Sequence, residues 1–275
     1  MITAYLQGGT ANLMHQFAAA YAQARRFDTE VLLDISSFDH DPLRRYTLGL
    51  FKGINNPLVR YQPPPIISEN GLPYDPDLVA RVTKNCTMRG YFQNENYYKE
   101  YRSDLMKIFE PLSPLSELSQ QTLQQILAEG ERSVFLTIRR TDYVGNDFHG
   151  VLPISYYEEA AKIIAAKIDN PCFFVFSDDP DWCKNEFVVR FPYRTVIAGN
   201  FDRTTKEHLG REDAELWLMR HCRHACMANS SYSWMGAWMG ADVTGGIVIC
   251  PKQWFGKASK EDSSGICPER WLSVQ

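Results

Sequence analysis

Two consecutive arginines, Arg139 and Arg140, directly follow a short apolar run at residues 133–138. That run is rich in β-branched and aromatic residues and too short for a typical helix, so it predicts a buried strand. The arginines then lie at the carboxyl end of a strand, where open α/β sheets bind their ligands. Because guanidinium stays charged and binds phosphate through paired hydrogen bonds, the pattern predicts a diphosphate clamp. A structural ion pair with Asp142 explains this segment equally well.

Short polar side chains at residues 229–233 form a second group of candidate phosphate ligands. They lie between an apolar segment at 225–228, predicted to be a strand, and an aromatic helix predicted to begin at Ser233. Hydroxyls and backbone N–H groups that converge on a helix start suit an anion. Simple helix capping is the alternative. The candidate phosphate-binding residues in this cluster are Asn229, Ser230, Ser231 and Ser233.

The segment Ser177-Asp178-Asp179-Pro180 ends another strongly apolar run, Cys172–Ser177. Its carboxylates are candidates for fixing the arginine pair or for holding a ribose. An Asp before a Pro at the first helical turn is also a typical helix cap. Both interpretations stay open at this point.

A glycine turn, Gly8-Gly9-Thr10-Ala11-Asn12, joins the first predicted strand, Ile2–Leu6, to the first predicted helix. Glycines there allow close approach of a ligand to the backbone, and the helix start offers free N–H groups. Gly8, Gly9 and Asn12 are therefore candidates for contact with a substrate. The turn lacks the G-x-G-x-x-G spacing of a dinucleotide site.

A metal site is not expected. Three D-x-D triplets occur, but each is typical of a turn, and the seven cysteines form no zinc-binding pattern. Cysteines within apolar runs indicate reduced thiols and a cytoplasmic protein. The D-x-D triplets begin at Asp39, Asp75 and Asp179.

Strand and helix patterns alternate along all 275 residues, which predicts an α/β protein. A polar helix over 115–129 ends at Gly130, and we place the domain boundary there, giving domains 1–130 and 131–275. The Pro-rich stretch 53–76 is predicted to be loop, an aromatic helix is predicted over 96–109, and 199–210 is predicted to be a polar loop.

The net charge of −4 argues against a nucleic-acid partner. No apolar run reaches the roughly 18–20 residues that cross a bilayer, so no membrane span is expected. Association with the inner face of the membrane remains compatible with the sequence, because a lipid-linked substrate requires no span.

Seven stretches, distributed over nearly the whole chain, resemble motifs of a known family and occur in the same order as in that family. They are residues 8–16, 90–93, 138–143, 149–157, 173–179, 228–234 and 250–255. Together they resemble the bacterial α-1,2-fucosyltransferases, which are inverting glycosyltransferases. The resemblance implies two Rossmann-like domains facing a central cleft. It also implies GDP-fucose on the C-terminal domain, a glycan acceptor on the N-terminal domain, and no metal or other cofactor.

The chain departs from the family pattern at several motif positions. The family usually has His at Thr137 and Gly at Thr141, and Met235 replaces a Trp. The glycine turn also differs, at Thr10, Ala11, Leu13 and His15. These changes leave the acceptor and the linkage open.

Residues 139–147 are also similar to the motif of the α-1,6-fucosyltransferases, in which the acid corresponding to Asp147 is the proposed base. We therefore predict Asp147 as the catalytic base, with His149 as the second candidate. Arg139 is predicted to stabilise the leaving diphosphate and Asp142 to orient an arginine. Asp178 and His224 are predicted to contact the ribose or the guanine.

Three functional hypotheses follow. The favoured one is transfer of fucose from GDP-fucose to a glycan, with galactose O2 as the expected position, in the synthesis of O-antigen or another surface polysaccharide. The second is an enzyme of the same fold that uses another GDP-sugar or linkage. The third is a non-catalytic glycan-binding protein, suggested by the aromatic content.

Overall fold

The computed structural model describes residues 1–198 and 210–275, which form two compact units. Of the described residues, the first unit contains 1–113, Gly210 and 261–268, and the second contains 114–198, 211–260 and 269–275. The chain thus passes between units at Ser113–Pro114, whereas the sequence-based boundary lay at Gly130. The difference arises because the helix Glu117–Glu129 packs against elements of the second unit, the strand that follows it and the helix Glu212–Arg220.

The first unit is built on a five-stranded parallel sheet in the order β3-β2-β1-β5-β4. The central strand is almost entirely buried, as its apolar sequence predicts. Two short strands, β3 and β4, lie in the Pro-rich stretch predicted to be loop, so that prediction was wrong there. The strands are β1 (Ile2–Tyr5), β2 (Val31–Asp34), β3 (Leu58–Val59), β4 (Ile66–Ser68) and β5 (Cys86–Arg89).

Helix α1 (Thr10–Arg26) follows β1 and buries an alanine-rich face that packs closely on the sheet. The predicted aromatic helix over 96–109 is shorter than expected. Its first part forms two 3₁₀ turns, Glu95–Tyr97 and Lys99–Tyr101, before α3 begins. The remaining elements of this unit are α2 (Pro76–Arg81), α3 (Arg102–Ile108) and the 3₁₀ turns Ser36–Asp39 and Leu48–Leu50.

The second unit contains a six-stranded parallel sheet in the order β11-β10-β9-β6-β7-β8. The predicted strands over 133–138 and 172–177 are confirmed, and every residue in both is buried. Strand β11 was not predicted. The strands are β6 (Ser133–Ile138), β7 (Cys172–Ser177), β8 (Thr195–Ile197), β9 (His224–Cys226), β10 (Val248–Pro251) and β11 (Leu272–Val274).

Helices connect these strands and cover their apolar side chains. Helix α4 (Glu117–Glu129) ends at Gly130, whose φ of 53° suits glycine. The predicted loop 199–210 lies, apart from Gly210, outside the described residues. The other helices are α5 (Ile154–Ala165), α6 (Pro180–Trp182), a π-helical turn at Cys183–Phe187, α7 (Val188–Arg190), α8 (Glu212–Arg220) and α9 (Ser231–Met239).

Each unit is therefore a parallel sheet with connecting helices, which confirms the predicted α/β class with two Rossmann-like domains. In the first sheet, β2 and β5 flank the central β1, and in the second, β7 and β9 flank β6. Ligands of open parallel sheets bind at the carboxyl ends of strands, where the strand order reverses. These points are the β1/β5 edge and the β6/β9 edge. Among the described residues, no helix is both long and apolar enough to span a membrane.

Candidate active site

Arg139 leaves β6 at the β6/β9 edge and lies between two carboxylates. Its Nη1 lies 2.9 Å from Asp178 Oδ2, and its Nη2 lies 2.7 Å from Asp142 Oδ1. Burial alone lowers the pKa of Arg139, but the charges of Asp178 and Asp142 outweigh it and raise that pKa above its usual value. A guanidinium has more N–H donors than two such carboxylates require. Arg139 is thus held in a fixed orientation and can still bind an anion.

Arg140 has different partners from those of Arg139. Its Nε donates to Asp179 Oδ2 at 3.1 Å, and its guanidinium carbon lies 3.9 Å from the ring centroid of Trp182. Such stacking and pairing fix the side chain against the start of α6. Both arginines are partly exposed; two carboxylates hold Arg139, whereas Asp179 and the Trp182 ring hold Arg140.

Asp178 connects β7 to the loop that follows β6. One carboxylate oxygen accepts from the backbone N–H of Arg140 at 2.9 Å. The other accepts from Thr141 Oγ1 at 2.5 Å and pairs with Arg139. Its side chain is only 3% exposed, so these contacts account for the carboxylate, and it orders the arginine loop.

The loop 141–150 carries the two candidate bases, Asp147 and His149. Asp147 is exposed, and its backbone oxygen accepts from the N–H of Ala258 at 3.1 Å, which anchors the loop. The His149 ring stacks on Tyr143 at a centroid distance of 4.6 Å. An open pocket of about 350 Å³ lies beside this loop. Its lining includes Arg140, Tyr143, Gly145, Asn146, Asp147 and Gly150.

Asn229 connects the loop 141–150 to the segment that contains Trp254. Its Nδ2 lies within hydrogen-bond distance of the carbonyl oxygens of His149 (2.9 Å), Gly150 (3.2 Å) and Trp254 (3.0 Å). The backbone carbonyl of Asn229 accepts from Tyr143 Oη at 3.3 Å. Asn229 is buried, so in this arrangement it positions the base loop rather than presenting its amide to solvent.

Thr137, where the resembling family usually has His, also has a structural role in this chain. Its buried hydroxyl accepts from the backbone N–H of Ala228 at 2.8 Å. That bond joins the end of β6 to the segment that leads from β9 into α9. A Thr at this position can therefore hold the β6/β9 edge in place without an aromatic ring.

The serine cluster lies at the start of α9, next to Arg139 along the sheet edge. Ser230 caps the helix, because its Oγ accepts from the N–H of Tyr232 at 3.3 Å. Ser233 is buried, whereas Ser230 and Ser231 are partly exposed. A nine-residue helix begins at this edge, and a helix start carries free N–H groups and partial positive charge that favour an anion.

The structure does not bring His224 to this edge. His224 pairs with Val134 near the start of β6, whereas Arg139 follows the end of that strand. Its Nε2 contacts the carbonyl of Glu131 at 2.9 Å, and its Nδ1 accepts from the N–H of Ile247 at 2.9 Å. Burial lowers the pKa of His224, so the ring stays neutral and structural. The predicted contact with guanine or ribose is incompatible with this position.

The glycine turn of the first unit joins β1 to α1, as predicted, and in the structure it lies at the β1/β5 edge. Gly8 has a φ of 87°, and a Cβ there would lie 2.5 Å from Asn12 Nδ2. Asn12 Oδ1 accepts from Gln93 Nε2 at 2.8 Å, which joins the residues after β1 to those after β5. Arg44 Nη1 would lie 3.7 Å from a Cβ at Gly9.

The D-x-D triplets perform structural tasks. Asp39 pairs with Arg60, and Asp75 and Asp179 cap the helices that follow them. In the part of the chain that the structure describes, no group of three or more His, Cys, Asp or Glu residues could hold a metal ion.

Several residues around the candidate site had no sequence signal of their own. Trp182, which stacks on Arg140, follows the predicted segment 177–180, and Trp254, beside Asn229, lies in the resemblance stretch 250–255, yet the sequence offered no role for either. Gln93 belongs to a stretch that carried the family resemblance, yet its sequence offered no role.

Comparison with known proteins decides the family. The family model described as glycosyl transferase family 11 matches residues 78–274. The chain belongs to that family. It is a glycosyltransferase of the fucosyltransferase type, so the predicted recognition is confirmed at that level.

Two relatives from Escherichia coli match over almost their entire length. An alpha-1,2-colitosyltransferase is 29% identical, with 100% of this chain and 99% of the relative covered. The O-antigen biosynthesis glycosyltransferase WbnK is 27% identical, with 98% and 99% covered. Among solved structures, NodZ alpha-1,6-fucosyltransferase soaked with GDP-fucose is similar at 11% identity. It has a TM-score of 0.45, and 87% of this chain and 92% of that chain are covered.

Proposed function

We propose that this glycosyltransferase moves fucose from GDP-fucose to a hydroxyl of a glycan, with inversion at the anomeric carbon and with galactose O2 as the acceptor atom. The observation that carries the proposal is Arg139, held between Asp142 and Asp178 at the β6/β9 edge beside the start of α9. Family membership and the 1,2 linkage in the name of one relative support it.

The chemistry requires stabilisation of the leaving diphosphate. As the bond from fucose C1 to the phosphate oxygen breaks, negative charge grows on the GDP. Arg139 and the N–H and hydroxyl groups of Ser230, Ser231 and Ser233 supply donors where that charge develops. Because their orientation is set before the substrate arrives, each such donor typically contributes about 2.7–4 kcal/mol in the transition state.

The acceptor hydroxyl must lose a proton as it attacks C1. Asp147 is the proposed base, because it is an exposed carboxylate on a loop that is anchored beside Arg140. His149 is the second candidate, although its ring is stacked on Tyr143. Asp142 serves Arg139, since their 2.7 Å contact occupies its carboxylate.

We place the acceptor on the first unit, at the β1/β5 edge. The glycine turn exposes backbone there, and the Asn12–Gln93 pair supplies the amide groups that sugar hydroxyls bind. Gly8, Gly9 and Asn12 are the proposed contacts. A lipid-linked glycan acceptor, a reaction at the cytoplasmic face of the membrane and independence from metal belong to the same proposal.

Colitose is the second candidate sugar. The alpha-1,2-colitosyltransferase matches this chain over its full length. Colitose is fucose without the hydroxyl at C3, so the diphosphate clamp and the base would serve either donor. Discrimination between GDP-fucose and GDP-colitose would then depend on a protein group that contacts the C3 hydroxyl of fucose.

The test is a transfer assay with purified protein in EDTA. GDP-fucose and GDP-colitose are each supplied with a β-galactoside and with its 2-deoxy analogue, and the masses of the products are measured by mass spectrometry. The proposal predicts fucosylation of the galactoside and none of the 2-deoxy analogue. Exclusive use of GDP-colitose would establish the second candidate. Transfer to both acceptors would exclude O2 as the position.

A further inference from the structure

Glu69 is a carboxylate of the first unit that the proposed reaction does not use. It directly follows β4, and its backbone N–H donates to the carbonyl of Arg89 at the end of β5, at 2.8 Å. Its Oε2 accepts from two successive backbone N–H groups, those of Tyr91 at 2.7 Å and Phe92 at 2.9 Å. One carboxylate oxygen thus holds the turn that follows β5.

The turn is shaped around that carboxylate. Phe92 has a φ of 51°, a conformation that non-glycine residues rarely adopt without support. A Cβ at Gly90 would lie 2.4 Å from Glu69 Cβ, so the glycine makes room for the side chain. Two consecutive N–H groups directed at one point form a small anion-binding nest. Here the chain supplies its own anion.

The residue after the turn reaches the glycine loop. Gln93 Nε2 donates to Asn12 Oδ1 at 2.8 Å, and Asn12 lies directly against Gly8. Asn94 continues the connection: its Oδ1 accepts from the N–H of Asn96, and its Nδ2 donates to the carbonyl of Gly265 at 2.9 Å. A chain of contacts therefore runs from Glu69 through the turn and Gln93 to Asn12 and the glycine loop.

We propose that Glu69 is a positioning residue for the acceptor: by binding the N–H groups of Tyr91 and Phe92 it sets the Gln93–Asn12 pair and the glycine loop in the geometry that receives the glycan. The inference rests on the proposed function, because it takes the β1/β5 edge as the acceptor site. It predicts an effect on acceptor binding and none on GDP binding.

The protonation state of Glu69 supports this role. Burial raises the pKa of Glu69 to about 7, although the bonds from Phe92 and Tyr91 oppose the shift. A carboxylate is a stronger acceptor than a carboxylic acid, so the turn is held more firmly when Glu69 is ionised. Ionisation therefore falls within the range of an ordinary activity assay.

Other titratable groups face Glu69 or its neighbours. Tyr97 and Asp75 both act on the Glu69 pKa, and the Glu69 charge acts on Tyr98. The raised pKa values of Tyr97 and Tyr98 keep both phenols neutral between pH 6 and pH 8. His15, which contacts Tyr98, has its pKa lowered by burial to about 3 and stays neutral as well.

The test compares Glu69→Ala and Glu69→Gln with Glu110→Ala, a control in the same unit whose carboxylate pairs with the exposed Lys52. Glu69→Ala is expected to raise the acceptor KM about tenfold, with the KM for GDP-fucose unchanged. Glu69→Gln retains a neutral carbonyl, as protonated Glu69 does, so its acceptor KM is expected to match that of the wild type at pH 6 and to exceed it at pH 8. The control should match the wild type.

The pH profile separates positioning from a general loss of structure. The wild-type acceptor KM should fall severalfold from pH 6 to pH 8, whereas that of Glu69→Gln should stay level. An unchanged acceptor KM in Glu69→Ala would overturn the inference. If Glu69→Ala fails to fold, a Glu69→Gln profile that follows the wild type would overturn it.

Failure of the proposed function would look different. In that case the wild type itself would not transfer fucose or colitose, and no acceptor KM could be measured. A wild type that transfers normally, with Glu69 variants that behave like the control, contradicts the role of Glu69 alone.

Discussion

The β6/β9 edge of the second unit carries an arginine held by aspartates beside a helix start, whereas the β1/β5 edge of the first unit combines a glycine turn and two amides with Arg89, the last residue of β5, and Arg44 beside Gly9. Both edges lie at the reversal of strand order in a parallel sheet. Arg139 is partly exposed and charged, while the Asn12–Gln93 pair is neutral. The first set suits a diphosphate and the second suits sugar hydroxyls.

The difference shows how one topology can present two kinds of chemical groups. In both units the sheet determines where the loops after the strands meet, and the first few residues after each strand determine the chemistry. At the β6/β9 edge, carboxylates from two different loops hold Arg139. At the β1/β5 edge, the carboxylate of Glu69 accepts from the turn that follows β5.

The largest effect is expected from Asp147→Asn. Removing a general base typically lowers kcat by a factor of about 10²–10⁴, and the exposed side chain should leave GDP affinity unchanged. Steady-state rates with saturating GDP-fucose measure this, with Asp181→Asn as an exposed acidic control in the same unit. A kcat within a few-fold of the wild type would transfer the base role to His149.

Arg139→Ala is expected to weaken GDP binding about 100-fold, because it removes the charged donor at the diphosphate. The matched control is Arg190→Ala, whose guanidinium pairs with Glu186 on the surface of the same unit. Calorimetry on both variants checks the prediction. Equal GDP affinity in Arg139→Ala and the control would remove the distinction between the two edges.

Asn12→Ala is expected to raise the acceptor KM about tenfold while GDP affinity stays constant, because it removes an amide from the β1/β5 edge. Asn96→Ala is the control, since that side chain is exposed and contacts Lys99 in the same unit. If Asn12→Ala weakened GDP binding instead, the β1/β5 edge would bind the GDP-sugar donor rather than the acceptor.

The smallest effect is expected from Thr137→Val, which leaves the buried N–H of Ala228 without its acceptor. The free energy of unfolding should fall by about 1–2 kcal/mol, with little change in GDP affinity. Thr195→Val, on the edge strand β8, should change it by less than about 0.5 kcal/mol. Urea denaturation of both variants measures the difference, and equal stabilities would contradict the role assigned to Thr137.

Much of the β6/β9 edge could be predicted from the sequence, because the sequence patterns that indicate it are local. The apolar runs before Arg139 and before Asp178 are long enough to identify two buried strands, and the polar residues follow them directly. The prediction of an ion pair between an arginine and Asp142 needed only a separation of three residues. In the structure, Asp142 contacts Arg139.

The rest depended on contacts between distant segments. His224 was expected near the ligand, but its strand register places it at the opposite end of β6 from Arg139. Asn229 was expected to face the ligand, and instead it binds three carbonyls from two other loops. Glu69 lay in a stretch predicted to be loop, and only the pairing of β4 with β5 brings it to the turn.

The most direct test of the central claim is a calorimetric titration of the wild type with GDP, GDP-fucose and UDP in EDTA. If the β6/β9 edge is a metal-independent diphosphate site for guanine nucleotides, GDP and GDP-fucose will bind and UDP will not. No binding of GDP, or binding that appears only after Mn²⁺ is added, would contradict the account.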